Sequence, residues 1–460
     1  MFEDKIIKKG RGIIMEKNRI GSSCGITDKH VKCPKCEKLL DEKFIYCPYC
    51  GWQLNNHADN GDNENLETGQ NCYYGKIVEK DYNQSAAWCK KAAEEGIASA
   101  QFNLGYLYEH GEGVEQDFKK AAEWYLKAAE QGHEIAQCNI GYLYEHGEGV
   151  EQDFEKAAEW YEKAAGQGYK TAQFNLGLMY DNGQGVVQDS KKAAKWYEKA
   201  AKQGHAGAQN NLGHMYKNGE GVEQNFAKAA DWYRKAAEQG NLIAQFNFGT
   251  MFDDGLGVEQ DSVKAAEWYQ KAAEQGQEKA QFNLGCMYEK GEGVEQDYNK
   301  AVKWYQKAAE QGYIGAQVNL GTMYAYGVGV EQDYAKAAAW YERASEQGNA
   351  DAQNNLGVMY AEGKGVKQNL AKAVEWYKRA AEQGKAYAQF NLGVMYKEGR
   401  GVKQDSAKAA EWFKKAAEQG NAGAQFNLGK MYEVGDGVEQ DPVKAADWYK
   451  KAAMQKQDGV

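Results

Sequence analysis

Four cysteines near the N-terminus have a spacing that can do chemistry. Cys33 and Cys36 form one C-x-x-C pair, Cys47 and Cys50 a second, with ten residues between the pairs. Each pair can fold as a tight knuckle that aims two thiolates at one point, and four thiolates suit a tetrahedral Zn2+. Such a closed site leaves no open coordination position, so the metal expected here is one structural Zn2+ without a catalytic role. The competing chemistry is a redox C-x-x-C, which normally stands alone at the start of a helix in a βαβ unit. Pro34 and Pro48 stiffen the knuckles and Gly51 permits the exit turn. Phe44, Ile45 and Tyr46 are expected to form the strand that leads into the second knuckle.

The rest of the chain is organised by repetition. Gly105 recurs at Gly141, Gly177, Gly213, Gly249, Gly285, Gly321, Gly357, Gly393 and Gly429, always 36 residues apart, and tryptophan recurs in the same rhythm from Trp88 to Trp448. Ten full copies follow a worn one that starts near Glu64, in which Ile77 replaces the second glycine of the loop. In the copy at Ala100, the residues Ala100, Leu104, Leu107 and Tyr108 fall on one face of a helix, and Gly111 is placed to stop it. Asp117 is an N-cap for a second helix, which turns Phe118, Ala121, Ala122, Tyr125, Ala128 and Ala129 inward and ends at Gly132. A unit of this kind buries its apolar face only against its neighbours. The fold expected is all-α, an α/α superhelical solenoid of about eleven 36-residue helix-turn-helix repeats preceded by a small zinc ribbon.

The chain therefore divides into a flexible leader (1–30), the ribbon (31–54), a polar linker (55–63), the solenoid (64–454) and a tail (455–460), with Met15 a second possible translation start. Residues 1–59 carry 11 Lys+Arg and 8 Asp+Glu, net +3; the remaining 45 and 58 give the array −13. An acidic array lacks the clustered positive charge that a phosphate-backbone binder needs, so nucleic acid is not an expected partner of the array. No apolar run is long enough to span a bilayer, and the N-terminus has no continuous apolar signal region, so no membrane association is expected. Cys24, Cys72, Cys89, Cys138 and Cys286 are scattered without repeated pairing, which points to a reducing, cytoplasmic location.

The pattern A-x-x-x-L-G-x-M-Y-x-x-G-x-G-V-x-x-D-x-x-K-A-A-x-W-Y-x-K-A-A-x-x-G resembles the Sel1-like repeat, a relative of the tetratricopeptide repeat. Val31–Leu54 is similar to the short zinc ribbons at the N-termini of many bacterial proteins. The resemblance to Sel1-like repeats implies a non-enzymatic scaffold that binds protein or peptide partners, with no small-molecule substrate. In tetratricopeptide domains an Asn just before the Leu-Gly of the first helix can hold a peptide backbone. The matching positions are Asn103, Asn139, Asn175, Asn211, Asn247, Asn283, Asn319, Asn355, Asn391 and Asn427. The same asparagines could instead bridge neighbouring helices. A helical wheel sets position 102 (Phe102, Phe174, Phe246, Phe282, Phe390, Phe426), position 106 and Glu109 on the side opposite the buried face, which in a superhelix of this class lines the concave groove. Position 106 varies from copy to copy, which fits either a binding groove or drift at exposed sites. Two alternatives are a β-lactamase-like hydrolase of the Sel1-repeat type and nucleic-acid binding through the weakly basic ribbon. Against the first, the paired cysteines of the secreted versions are absent, as are S-x-x-K and K-T-G motifs.

Overall fold

The structure, a computed structural model, describes residues 30–32, 39–41 and 82–457. Two short strands, His30–Lys32 and Leu39–Asp41, pair antiparallel with Val31 opposite Leu40. Cys33, Cys36, Cys47 and Cys50, the expected strand at 44–46 and the worn first helix from 64 all lie outside the described residues. Everything from Tyr82 to Gln457 is helical repeat.

One repeat explains the others. The first helix, Ala98–His110, ends where Gly111 enters the left-handed region at φ 70° and returns its N–H to the Leu107 carbonyl. A residue without a Cβ adopts that conformation at no steric cost. The side chain of Gln116 then reaches back 2.8 Å to the Glu109 carbonyl, satisfying another free end of the same helix. Asp117, extended at φ −150°, caps the second helix Phe118–Glu130 by accepting from the Lys120 N–H at 3.0 Å. Gly132, at φ 89°, turns the chain into the next repeat. Among the described residues, twenty of the 21 helices have 13 residues; the last, Pro442–Gln457, runs to 16 because Lys456 stands where the other repeats have the stopping glycine. Pro442 opens that helix at its first position, where no backbone N–H is required.

The chain divides into two compact units, 1–236 and 237–460. From Tyr82 onward each is a helical repeat solenoid with a core that passes from repeat to repeat. In the first unit, Ala121, Ala122, Tyr125, Ala128 and Ala129 pack with Ala136, Ile140 and Leu143 of the following repeat. In the second unit, Ala301, Val302, Tyr305, Ala308 and Ala309 pack with Ala316, Leu320 and Met323 in the same way. The glycine that marks the period sits where the two helices of a repeat touch. A Cβ at Gly105 would lie 2.7 Å from the Tyr125 ring, and one at Gly249 would lie 2.8 Å from Tyr269. Trp124 lies against the cluster that the preceding repeat's second helix forms with Ala100, Leu104 and Leu107 of its own first helix, with the Lys127 ammonium 3.8 Å above its ring.

Candidate functional site

The residues expected to meet a partner converge on the buried tyrosine of each second helix. Tyr125 donates to a carboxylate oxygen of Glu109 at 2.5 Å, and the side chain of Asn139 from the next repeat lies beside it. Tyr161 repeats the arrangement with Glu145 at 2.7 Å and with Asn175. In the second unit, Tyr269 meets Asp253 at 3.2 Å and Asn283, and Tyr341 meets Thr322 at 2.9 Å and Asn355. Lys217 and Lys397 at this position cannot accept from a phenol; the corresponding second-helix residue is Tyr233 in one repeat and Phe413 in the other. The wheel places Glu109 on the open side, but its bond to Tyr125 draws it in until it is 9% exposed.

Asn139, Asn175, Asn283 and Asn355 therefore sit at the seams between repeats beside those tyrosines, and Asn391 donates across a seam to Asn354 at 3.1 Å. Asn103 is buried, while the other nine asparagines of the series keep part of their surface open. The phenylalanines at position 102 are also drawn into the junctions. Phe102 stacks on His133 at 4.7 Å between ring centres, Phe174 on His205 at 4.4 Å, and Phe282 lies against Tyr313 at 4.9 Å. Phe246 and Phe390 lean on Tyr269 and Phe413 of their own repeats. Phe426 alone among the six is largely bare, at 55% exposed.

Around this frame the partly open positions vary: Tyr106, Tyr142 and Leu178 in the first unit, Thr250, Cys286, Thr322, Val358 and Val394 in the second. Next to them stand His110, His146, Lys290 and Tyr326, all exposed. The chemistry available is recognition. Burial, reinforced by Glu109, holds the Tyr125 phenol well above its usual pKa, and burial does the same at Tyr161. A phenol so held stays protonated near neutral pH and serves as a hydrogen-bond donor, not as a base or nucleophile. The histidines are occupied locally: His110 and His146 stack on Tyr106 and Tyr142, and His133 and His205 cap helices through Nδ1. Among the described residues no group of three or more His, Cys, Asp or Glu could hold a metal ion.

Sequence reasoning misses one set of residues. The glutamine of the invariant Ala-Gln step is buried in every full copy and clamps the repeats together. Gln137 donates to the Ala129 carbonyl of the preceding repeat at 3.0 Å and accepts from Gln167 of its own at 2.7 Å. Gln281 does the same with Ala273 at 3.0 Å and Gln311 at 2.8 Å. The available signal was a long polar residue kept without exception beside a buried alanine.

A family model described as Sel1 repeat matches residues 66–97, 98–133, 135–169, 170–205, 206–241, 242–277, 278–313, 314–349, 350–385, 386–421 and 422–456. No curated protein matches the chain. Among solved structures, the chain is 42% identical to a protective antigen of uropathogenic Escherichia coli strains that displays an SLR fold, with a TM-score of 0.77 over 85% of this chain and 83% of that one. It is 37% identical to a Sel1 repeat protein from Oxalobacter formigenes, with a TM-score of 0.52 over 67% of this chain and 89% of that one.

Proposed function

Because the chain belongs to the Sel1 repeat family, whose members are in general protein-interaction scaffolds, we propose that it is a non-enzymatic scaffold. Its first-helix face, carrying positions 102, 103, 106 and 110, receives a protein or peptide partner. One observation carries this reading. The buried glutamine and the alanine carbonyl it bonds recur from copy to copy, whereas the partly open side chains at position 106 differ along the array. A fixed frame with a varied surface suits recognition of an extended segment. The asparagines can still give or take a backbone hydrogen bond from their open side, and position 106 supplies specificity. The N-terminal segment holds one structural Zn2+ through Cys33, Cys36, Cys47 and Cys50. The strand pair His30–Lys32 and Leu39–Asp41 supports this, since the first cysteine pair falls between the two strands in sequence. Cys89, Cys138 and Cys286 fall at three different positions of the repeat, with no repeated pairing, which supports a reducing, cytoplasmic setting. No observation favours a hydrolase or a nucleic-acid-binding reading.

The test is capture of a partner from the native organism and identification by mass spectrometry, followed by affinity measurements on variants. Joint replacement of Phe246 and Phe282 by Ala, or of Asn247 and Asn283, is expected to weaken binding more than tenfold with the helical spectrum unchanged. Glu267 and Lys303, exposed on second helices, should be replaceable by Ala with little effect. Binding lost in the second-helix variants and kept in the first-helix ones would move the partner to the opposite face.

A further inference from the structure

The loops that join the two helices of a repeat reverse their charge at one place along the array. Eight of the ten loops from Gly111 onward are acidic, from −1 at 183–189, where Asp189 is the charged residue, to −3 at 111–117, which holds Glu112, Glu115 and Asp117. At 363–369 the loop reads GKGVKQN, two lysines and no acid, net +2. At 399–405 it reads GRGVKQD, an arginine and a lysine against Asp405, net +1. Lys364, Lys367, Arg400 and Lys403 thus stand where Glu112 and Glu115 stand earlier, and all four are exposed. The two loops adjoin: a Cβ at Gly401 would lie 2.3 Å from the carbonyl oxygen of Leu370, the residue that follows the first of them. Nearby carboxylates do not cancel this charge. Lys364 pairs with Glu362 at 2.7 Å and Arg400 with Glu398 at 3.5 Å, but exposed pairs of this kind are weak. In other repeats the capping aspartate also neutralises a lysine three residues on, as Asp117 does Lys120 at 3.1 Å and Asp405 does Lys408 at 3.2 Å. At 369 the cap is Asn369, which accepts the Lys372 N–H at 3.0 Å and leaves its ammonium without that carboxylate.

We propose that this basic stretch of the loop edge docks a short acidic segment, rich in Asp and Glu, of another protein. The surface is separate from the first-helix face described above. Charge complementarity sets the sign of the occupant, and the flanking loops set its length. On one side lies 327–333 with Glu331 and Asp333, on the other 435–441 with Asp436, Glu439 and Asp441. A nucleic acid or an anionic membrane extends past the two basic loops and meets those carboxylates, whereas a short segment does not. A second copy of this chain meets the same objection. Laid edge to edge over the basic pair, its own acidic loops continue beyond the pair and face acidic loops of the first copy.

The probe is a fluorescein-labelled octapeptide of alternating Asp and Glu, titrated with the full chain at low ionic strength and followed by anisotropy. Saturable binding is expected, weakening as salt is added and at least tenfold weaker to the loop variant Lys367→Glu with Lys403→Glu. Seven of the eight acidic loops carry glutamate at this position, so the helical spectrum of the loop variant should match wild type. Lys195→Glu with Lys303→Glu makes the same change in net charge at exposed second-helix positions and should bind as wild type does. Absence of saturable binding, unchanged binding to the loop variant, or an equal loss in both double variants overturns the proposal. So does tighter binding of a labelled oligothymidylate or of phosphatidylserine vesicles that the loop variant abolishes, since that assigns the loops to a phosphate-bearing partner. A wild-type dimer, seen by light scattering, that the loop variant dissolves overturns it in favour of a second copy.

Discussion

At the scale of single residues, the N-cap of the first helix shows one job done by different chemistries. His205 accepts the Ala208 N–H at 3.1 Å through Nδ1, while Asn241, Asn349 and Asn421 do the same through Oδ1 at 2.8–2.9 Å. The difference is that imidazole titrates. Burial first, then Lys170, lowers the His205 pKa from 6.5 to about 4, and burial lowers that of His133. The unfolded chain thus takes up the proton more readily than the folded one. The stability this cap contributes is complete above about pH 6.5 and is lost as the pH falls towards 4. His205→Asn should keep the cap and remove this dependence. Thermal unfolding at pH 7.5 and pH 5 is expected to show a smaller drop in midpoint for the variant, and parallel drops would refute the assignment.

At the scale of the element, two loop glycines with positive φ have different reasons to be glycine. Gly276, at φ 99°, has open space around a hypothetical Cβ, so an alanine there meets only the left-handed penalty, roughly 1–2 kcal/mol. Gly293, at φ 70°, lies against the preceding repeat, and a Cβ would fall 2.1 Å from the Ser262 carbonyl oxygen. Gly293→Ala must also push two repeats apart, and denaturant unfolding should show it clearly less stable than Gly276→Ala; equal midpoints would mean the contact yields freely. The contrast also marks how far the sequence can be read. The helices, their caps and the stopping glycines are legible because each is a local matter of φ, capping oxygen and apolar period. The inter-repeat contacts of Gln137, Asn139 and Phe102 are not legible. They depend on which residue of the next repeat arrives opposite, and a helical wheel of one helix carries no such information. The wheel misplaces Glu109 for the same reason.

For the whole molecule, the charge and the modules matter more than any one contact. The formal net charge is −10, concentrated in the array, and no helix among the described residues is long and apolar enough to cross a membrane. If the N-terminal cysteines hold Zn2+ independently of the solenoid, metal analysis should find close to one equivalent per chain. Cys47→Ser should lose the metal while far-ultraviolet circular dichroism changes little, because metal binding and local folding are coupled only within the ribbon. Less than half an equivalent in wild type, with those thiols freely reactive, would refute the site; a large loss of helicity in the variant would show that the modules are interdependent.

The sameness of the junctions has a consequence for the gene. Gln281 bridges to Ala273 and Gln317 bridges to Ala309 through the same atoms, and Asn283 and Asn355 meet their tyrosines alike. Unequal recombination between two copies that removes or adds one whole period leaves behind a seam the protein already knows how to pack. An exchange out of step by even a few codons strands the glutamine, the asparagine and the loop glycine together. The reading frame of this solenoid is thus enforced twice, once in triplets and once in units of thirty-six residues.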